Sequence, residues 1–231
     1  MANFLTIARV LLIFVIVAVW ARQENIDWWW LDALMVPLLA WAIFMDALDG
    51  WVARRRHEES EAGALFDIAG DRIVELVLWV FFAIRKDSSG TALVPMWVPV
   101  VMITRTVLTD FVRSVAYQVG KTPFGEKTMM RHGWTQQLVS SRWSRALYGV
   151  MKAVAFCALG VLFVWDRVGI GVAHLSLWRV VTAVIVFATV GFSVARALPV
   201  LWDGRRYVGL DLAPRGELPD PAKEETASSA R

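Results

Sequence analysis

The chain contains one cysteine and three histidines, and only 19% of its 231 residues are charged. A single cysteine excludes an internal disulfide framework and a thiolate zinc site. Cys157 lies in the apolar run "MKAVAFCALGVLFVW" and reads as a small packing residue. His57, His132 and His174 share no spacing that suggests a metal site and read as solvated loop residues. No internal repeat of roughly 20 to 50 residues stands out, which excludes a solenoid. The formal net charge of +3 is mild, and no nucleic-acid partner is expected. What the chain has in quantity is apolar mass: 57% hydrophobic residues, with thirteen tryptophans and twelve phenylalanines. That exceeds the share of roughly 45–50% usual in soluble domains.

Several segments approach the roughly 20 apolar residues needed to cross a bilayer. The expected fold is therefore all-α, a polytopic integral membrane protein with six transmembrane helices. The spans are placed at residues 3–22, Trp28–Arg54, Ala64–Ile84, Leu93–Val119, Arg145–Trp165 and Leu175–Trp202, the fourth with Pro95 and Pro99 in its first turns. The first has no charged residues ahead of its apolar run and no small-x-small cleavage site after it, so a retained helix is expected rather than a cleaved signal peptide. Residues 1–205 form one membrane domain, and residues 206–231, rich in Pro, Glu and Ser, are expected to be a disordered tail. Arg54, Arg55 and Arg56, then Lys121, Lys127, Arg131, Arg142 and Arg145, then Arg196, Arg205 and Arg206 fall at one level; the alternate loops hold Arg22, Arg85 with Lys86, and Arg167 with Arg179. By the positive-inside rule both termini are cytoplasmic, in what is expected to be the cell membrane. "WWWLDALMVP" then lies at the opposite interface as a tryptophan anchor.

Against this apolar background, "MDALDGWVARRRHEESEAGALFDIAGD" (residues 45–71) carries four aspartates. Asp46 and Asp49 are three apart, Asp67 and Asp71 four apart, so on helices each pair shares a face. Gly50, Ala53 and Gly63 lie among them, and small residues let backbones approach closely. An aspartate at mid-bilayer costs roughly 2.5 to 3.5 kcal/mol, so four would total on the order of 10 to 14 kcal/mol. The nearest cations in sequence, Arg54 and Arg72, are too few to balance them. One or two divalent cations would, and hard oxygen ligands suit Mg²⁺ or Mn²⁺. The blander alternative is that the aspartates merely cap or solubilise water-exposed helix ends.

Asp46, Asp49, Gly50, Ala53, Arg54, Gly63, Asp67 and Asp71 match the pattern DxxDGxxAR, eight residues, G, three residues, D, three residues, D without a gap. The chain thereby resembles the CDP-alcohol phosphotransferase (phosphatidyltransferase) family of integral membrane enzymes that make phospholipids. The resemblance implies two divalent metals per active site, held by Asp46, Asp49, Asp67 and Asp71. Asp46 and Asp67 would bridge both ions, Asp49 would hold one, and Asp71 would hold the other while acting as general base. Asp49, Gly50, Ala53, Arg54, Gly63 and, on a weaker match, Ser60 would meet the nucleotide of CDP-diacylglycerol. The implied reaction is attack by an alcohol hydroxyl on the lipid-linked phosphorus, releasing CMP. Family members commonly form homodimers through their membrane helices.

"NFLTIAR" (Asn3, Thr6, Arg9) resembles the "NxLTxxR" opening of phosphatidylglycerophosphate synthases, which implies that Asn3 and Thr6 contact lipid or nucleotide; it also reads as a helix start with a polar cap. "ITRTVLTDFVRSVA" is similar to their "ITRE" segment followed by another arginine. Arg105 and Arg113, eight apart and so roughly on one face, could form with Lys152 a basic pocket for the phosphate of glycerol 3-phosphate. Arg105 could instead pair with a motif aspartate, and Arg113 or Lys152 could snorkel to lipid phosphates. Thr106 stands where a glutamate is usual, "DIAGDRIVE" differs from the common "DPxADK", and Asp110 has no evident role, so inositol phosphate or another polar alcohol stays open as acceptor. The polar, aromatic segment 121–144 could be a lid or an interfacial loop. A Mg²⁺ or proton transporter using the aspartates, and a scaffold that has lost activity, are the competing classes.

Overall fold

The computed structural model describes residues 2–22, 28–56, 61–118, 137–139, 141–169, 172–206 and 208–209, without the side chains of residues 2, 3, 46–56, 61, 62, 64, 142 and 172–174. The described chain is helical, with six long helices: α1 (Ala2–Ala21), α2 (Trp29–Arg56), α3 (Glu61–Ile84), α4 (Trp97–Gln118), α5 (Arg142–Val168) and α6 (Val172–Gly204). Among the described residues the only β-type pairing is an isolated bridge between Lys86 and Ala92, in the loop joining α3 to α4. Among the described residues three helical stretches, Phe4–Ala21, Trp143–Val168 and Leu175–Gly204, are long and apolar enough to cross a membrane; Trp29–Met45 is apolar but shorter. The expected tail falls outside the described residues from position 210 onward, as does most of segment 121–144.

Several helix ends differ from the expected spans, and those of α4 and α5 do so for local reasons. α4 starts at Trp97 instead of Leu93, so Pro95 precedes the helix and Pro99 alone lies in its first turn. α5 starts at Arg142, because the Ser141 side chain accepts the Ser144 backbone N–H (3.1 Å) as an N-cap. The same helix ends at Gly169, whose left-handed φ of 73° lets its N–H return to the carbonyls of Trp165 and Asp166.

The helices pack as a closed ring in the order α2, α1, α3, α4, α6, α5 and back to α2. One end of the ring is filled by aromatic side chains. Trp20 of α1 is fully buried, with ring centroids 5.9 Å from Phe81 and Phe82 and 5.6 Å from Phe163. Its indole N–H donates to the Asp32 carbonyl (3.2 Å). Gly160 of α5 makes room, since a Cβ there would stand 3.0 Å from the Trp20 ring. In lipid such packing supplies dispersion contact more than relief from water.

The outer rim of this end is tied by ion pairs that spacing did not foretell. Asp32, buried at the start of α2, takes Arg22 at 3.0 Å and Arg167 at 3.3 Å. Arg179 of α6 reaches Asp87 at 3.1 Å and Asp166 at 2.9 Å, and Asp166 also accepts the Ser88 backbone N–H at 2.7 Å. Of the cations expected merely to mark this loop level, Arg22, Arg167 and Arg179 are thus neutralised by carboxylates, and Arg85 donates to the Trp20 carbonyl at 2.6 Å.

Candidate active site

The opposite half of the ring holds a second charged network, centred on α3 and α5. On α3, Asp67, Asp71 and Glu75 recur every four residues, and the helical period places them on one face. Their exposure falls along that face, from 42% at Asp67 through 36% at Asp71 to 1% at Glu75. The first two carboxylates are open to a ligand and the third is closed to it.

Each carboxylate is met by a different neighbour. Thr6 Oγ1 and Arg9 Nη2 of α1 approach Asp67 Oδ1 at 3.5 and 3.4 Å. This is possible because α1 lies almost against the α3 backbone at Gly70, where a Cβ would stand 2.5 Å from Thr6 Cγ2. From α5, Lys152 Nζ donates to both oxygens of Asp71 at 3.1 Å and to Glu75 Oε2 at 3.0 Å. Glu75 Oε1 accepts Arg105 Nη2 of α4 at 3.0 Å and the Tyr148 hydroxyl of α5 at 2.6 Å. The Tyr148 hydroxyl also lies 2.8 Å from Arg105 Nη2. The Tyr148 ring has Lys152 at 5.2 Å, Arg196 at 5.4 Å and Arg105 at 5.6 Å from its centroid, within the reach of cation–π attraction.

A fourth carboxylate continues the network. Asp110 of α4 takes Arg72 at 3.4 Å and Arg113 at 3.6 Å, and Arg72 lies 3.8 Å from Glu75. Arg72 therefore pairs with Asp110 and Glu75. Arg105 and Lys152 meet at one carboxylate, Glu75, whereas Arg113 stands a step away on Asp110. Arg105 pairs with Glu75 instead of a motif aspartate, and Lys152 pairs with Asp71. Buried donors remain on α4: Arg105 Nε, Arg113 Nε and the Thr106 hydroxyl have no hydrogen-bond partner among the described residues.

All six helices lie within the stretch matched by one protein-family model, CDP-alcohol phosphatidyltransferase, which covers residues 1–204. The chain belongs to this family. Comparison with curated protein sequences gives no match. The family is one of phosphotransferases in phospholipid synthesis that use a CDP-alcohol and a hydroxyl acceptor, generally with a divalent metal.

The residues of this CDP-alcohol phosphatidyltransferase family member suit such a metal in the donors that are described. Asp67 and Asp71 present hard carboxylate oxygens one turn apart, and an ammonium group is already drawn against Asp71. Of the other expected ligands and nucleotide contacts, Asp46, Asp49, Gly50, Ala53 and Arg54 lie in the helical backbone of α2, with side chains outside the described set. Ser60 and the side chain of Asn3 also fall outside it. Gly63 is half-buried in the first turn of α3. Among the described residues no three carboxylate, imidazole or thiol groups converge on one point.

Sequence reasoning missed Glu75 and Tyr148. Glu75 continues the four-residue spacing of Asp67 and Asp71, a signal that was present in "DIAGDRIVE". Tyr148 carries no such signal, because only the packing of α5 on α3 brings its hydroxyl to Glu75.

Proposed function

We propose that the chain transfers a phosphatidyl group from CDP-diacylglycerol to a phosphorylated alcohol, with glycerol 3-phosphate as the best candidate, and releases CMP. The observation that carries this reading is the meeting of Lys152 and Arg105 on Glu75, directly beside the open carboxylate of Asp71. It juxtaposes a base and a basic pocket.

In the proposed step the acceptor hydroxyl oxygen attacks the lipid-side phosphorus. The P–O bond to the CMP phosphate breaks, CMP leaves, and the hydroxyl proton passes to Asp71. Arg105 and Lys152 receive the acceptor's phosphate, with Arg113 further along the network. Asp49, Gly50, Ala53, Arg54, Ser60 and Gly63 take the nucleotide, and Asn3 and Thr6 contact the lipid or the nucleotide. Asp46, Asp49, Asp67 and Asp71 would hold two Mg²⁺ or Mn²⁺ ions, which supply charge neutralisation on the diphosphate and acidify the attacking hydroxyl.

The same reading takes residues 1–205 as a six-span membrane domain with the site and both termini cytoplasmic, residues 206–231 as a tail, and the functional unit as a homodimer. The exposed Trp28, Trp29 and Trp30 at the far end fit an interfacial anchor. A conduit for Mg²⁺ or protons is disfavoured by the buried apolar cluster that includes Trp20, Leu78, Phe82 and Leu159, which lies between the network on Glu75 and the ion pairs at the rim.

Release of CMP from CDP-diacylglycerol by the purified protein tests the proposal, with Mg²⁺ or Mn²⁺, a panel of acceptors led by glycerol 3-phosphate, and Asp71→Asn as control. Release that requires one acceptor, stops with chelator and falls by about 10²–10⁴-fold in the variant is the expected result. Turnover with unphosphorylated alcohols alone would refute the acceptor assignment, and absence of both nucleotide and metal binding would refute the enzyme.

A further inference from the structure

We propose that Glu75 is a positioning residue for the acceptor half of the site, holding Lys152 and Arg105 in the poses in which they receive an anionic acceptor. The inference rests on the acceptor reading above and adds to it a residue that touches no substrate.

Glu75 is 1% exposed, so a substrate does not reach it. Its two oxygens are divided between elements: Oε1 takes Arg105 of α4 and Tyr148 of α5, and Oε2 takes Lys152 of α5 with Arg72 nearby. One buried carboxylate thereby fixes cations from two other helices relative to α3, which also carries Asp67 and Asp71. Lys152 has three N–H donors, and Glu75 and the two oxygens of Asp71 use them. The bonds to Asp71 face the open part of the site and can be exchanged for a ligand oxygen; the bond to Glu75 is enclosed and keeps the ammonium in place. Arg105 is held in the same way by one nitrogen, Nη2, while its buried Nε has no partner among the described residues.

Charge alone predicts the opposite of positioning. A buried anion beside the pocket repels an acceptor phosphate, so its neutralisation should tighten acceptor binding. If Glu75 instead serves to orient Lys152 and Arg105, its neutralisation loosens both and weakens binding despite the extra positive charge. The sign of the effect separates the two accounts.

The experiment measures CMP release by the full-length protein, Glu75→Gln and Tyr148→Phe, varying glycerol 3-phosphate and CDP-diacylglycerol in turn, with a thermal melt of each variant. For Glu75→Gln the acceptor KM is expected to rise about tenfold or more, with the CDP-lipid KM held within about twofold. Inhibition by inorganic phosphate, competitive with the acceptor, weakens in parallel. Tyr148→Phe removes one of the two bonds on Oε1 and gives a smaller rise of the same kind. An acceptor KM that is unchanged or lower in a folded Glu75→Gln protein overturns the inference, and so does an equal rise in both KM values, which marks a purely structural role. Should Glu75→Gln not fold, Tyr148→Phe decides by the same criterion. A wild-type enzyme that turns over no phosphorylated alcohol overturns the acceptor reading itself and the inference with it, an outcome distinct from an active wild type with unshifted variants.

Discussion

Gly70 of α3 lies under Thr6 of α1 so closely that a Cβ at position 70 would stand 2.5 Å from Thr6 Cγ2. The same approach brings Thr6 and Arg9 to Asp67, one turn before Gly70. Here "DIAGD" has glycine where the resembled pattern has alanine, and the packing of α1 gives that departure a physical reason.

Gly70→Ala is therefore expected to push α1 away from α3. Thr6 is β-branched and cannot swing its methyl aside freely in a helix, so the overpacking should cost about 1–3 kcal/mol. Activity should fall with it, because Asp67 loses its α1 partners. A thermal melt and CMP release measure both, and wild-type values in the variant would show that the two helices separate at no cost.

Lys152 is the cation common to Asp71 and Glu75, and its side chain is 12% exposed. Lys152→Met leaves two carboxylates without it and should destabilise the protein by about 3–5 kcal/mol. Lys152→Arg keeps the charge and should restore most of the stability. It should not restore acceptor affinity, because a planar fork cannot reproduce three donors from one nitrogen. Chemical denaturation and acceptor KM separate the two effects; full activity in Lys152→Arg would show that charge alone suffices.

Asp32 lies at the other end of the ring, paired with Arg22 and Arg167 and 3% exposed. Asp32→Asn should lower the melting temperature, with a loss of about 3 kcal/mol as for other broken buried pairs. Both KM values should stay unchanged, since the network around Asp71 is built from other residues. A shift in acceptor KM would reveal coupling between the ends.

Asp87 lies in the loop between α3 and α4. Burial pushes its carboxyl up, but the Ser89 hydroxyl, the backbone N–H groups of Thr91 and Ser89, and the Arg179 guanidinium together hold it below the usual carboxylate value. A carboxylate with a depressed folded pKa stabilises the fold above its unfolded pKa of about 3.9, and that contribution disappears as pH falls through the folded value. The melting temperature of Asp87→Asn should thus lie below wild type at neutral pH and converge with it as the medium is acidified past the ordinary carboxylate range. A gap independent of pH would exclude the ionised form as the source.

The sequence by itself determined the helical class, the pairing of Asp67 with Asp71 on one face, and the motif that marks the family, because helix period and residue spacing are local properties. The same period pointed to Glu75, but its burial depends on α4 and α5 closing over that face. Only the tertiary structure decided which cation meets which carboxylate: Lys152 reaches Asp71 across 81 residues and Arg105 reaches Glu75 across 30. Asp32, one of several carboxylates around the tryptophan-rich stretch "ENIDWWWLD", acquires its role only where Arg22 and Arg167 converge at the rim. Ion pairs between helices carry no spacing signature, since the distance between partners is set by how helices pack and not by how far apart they stand along the chain.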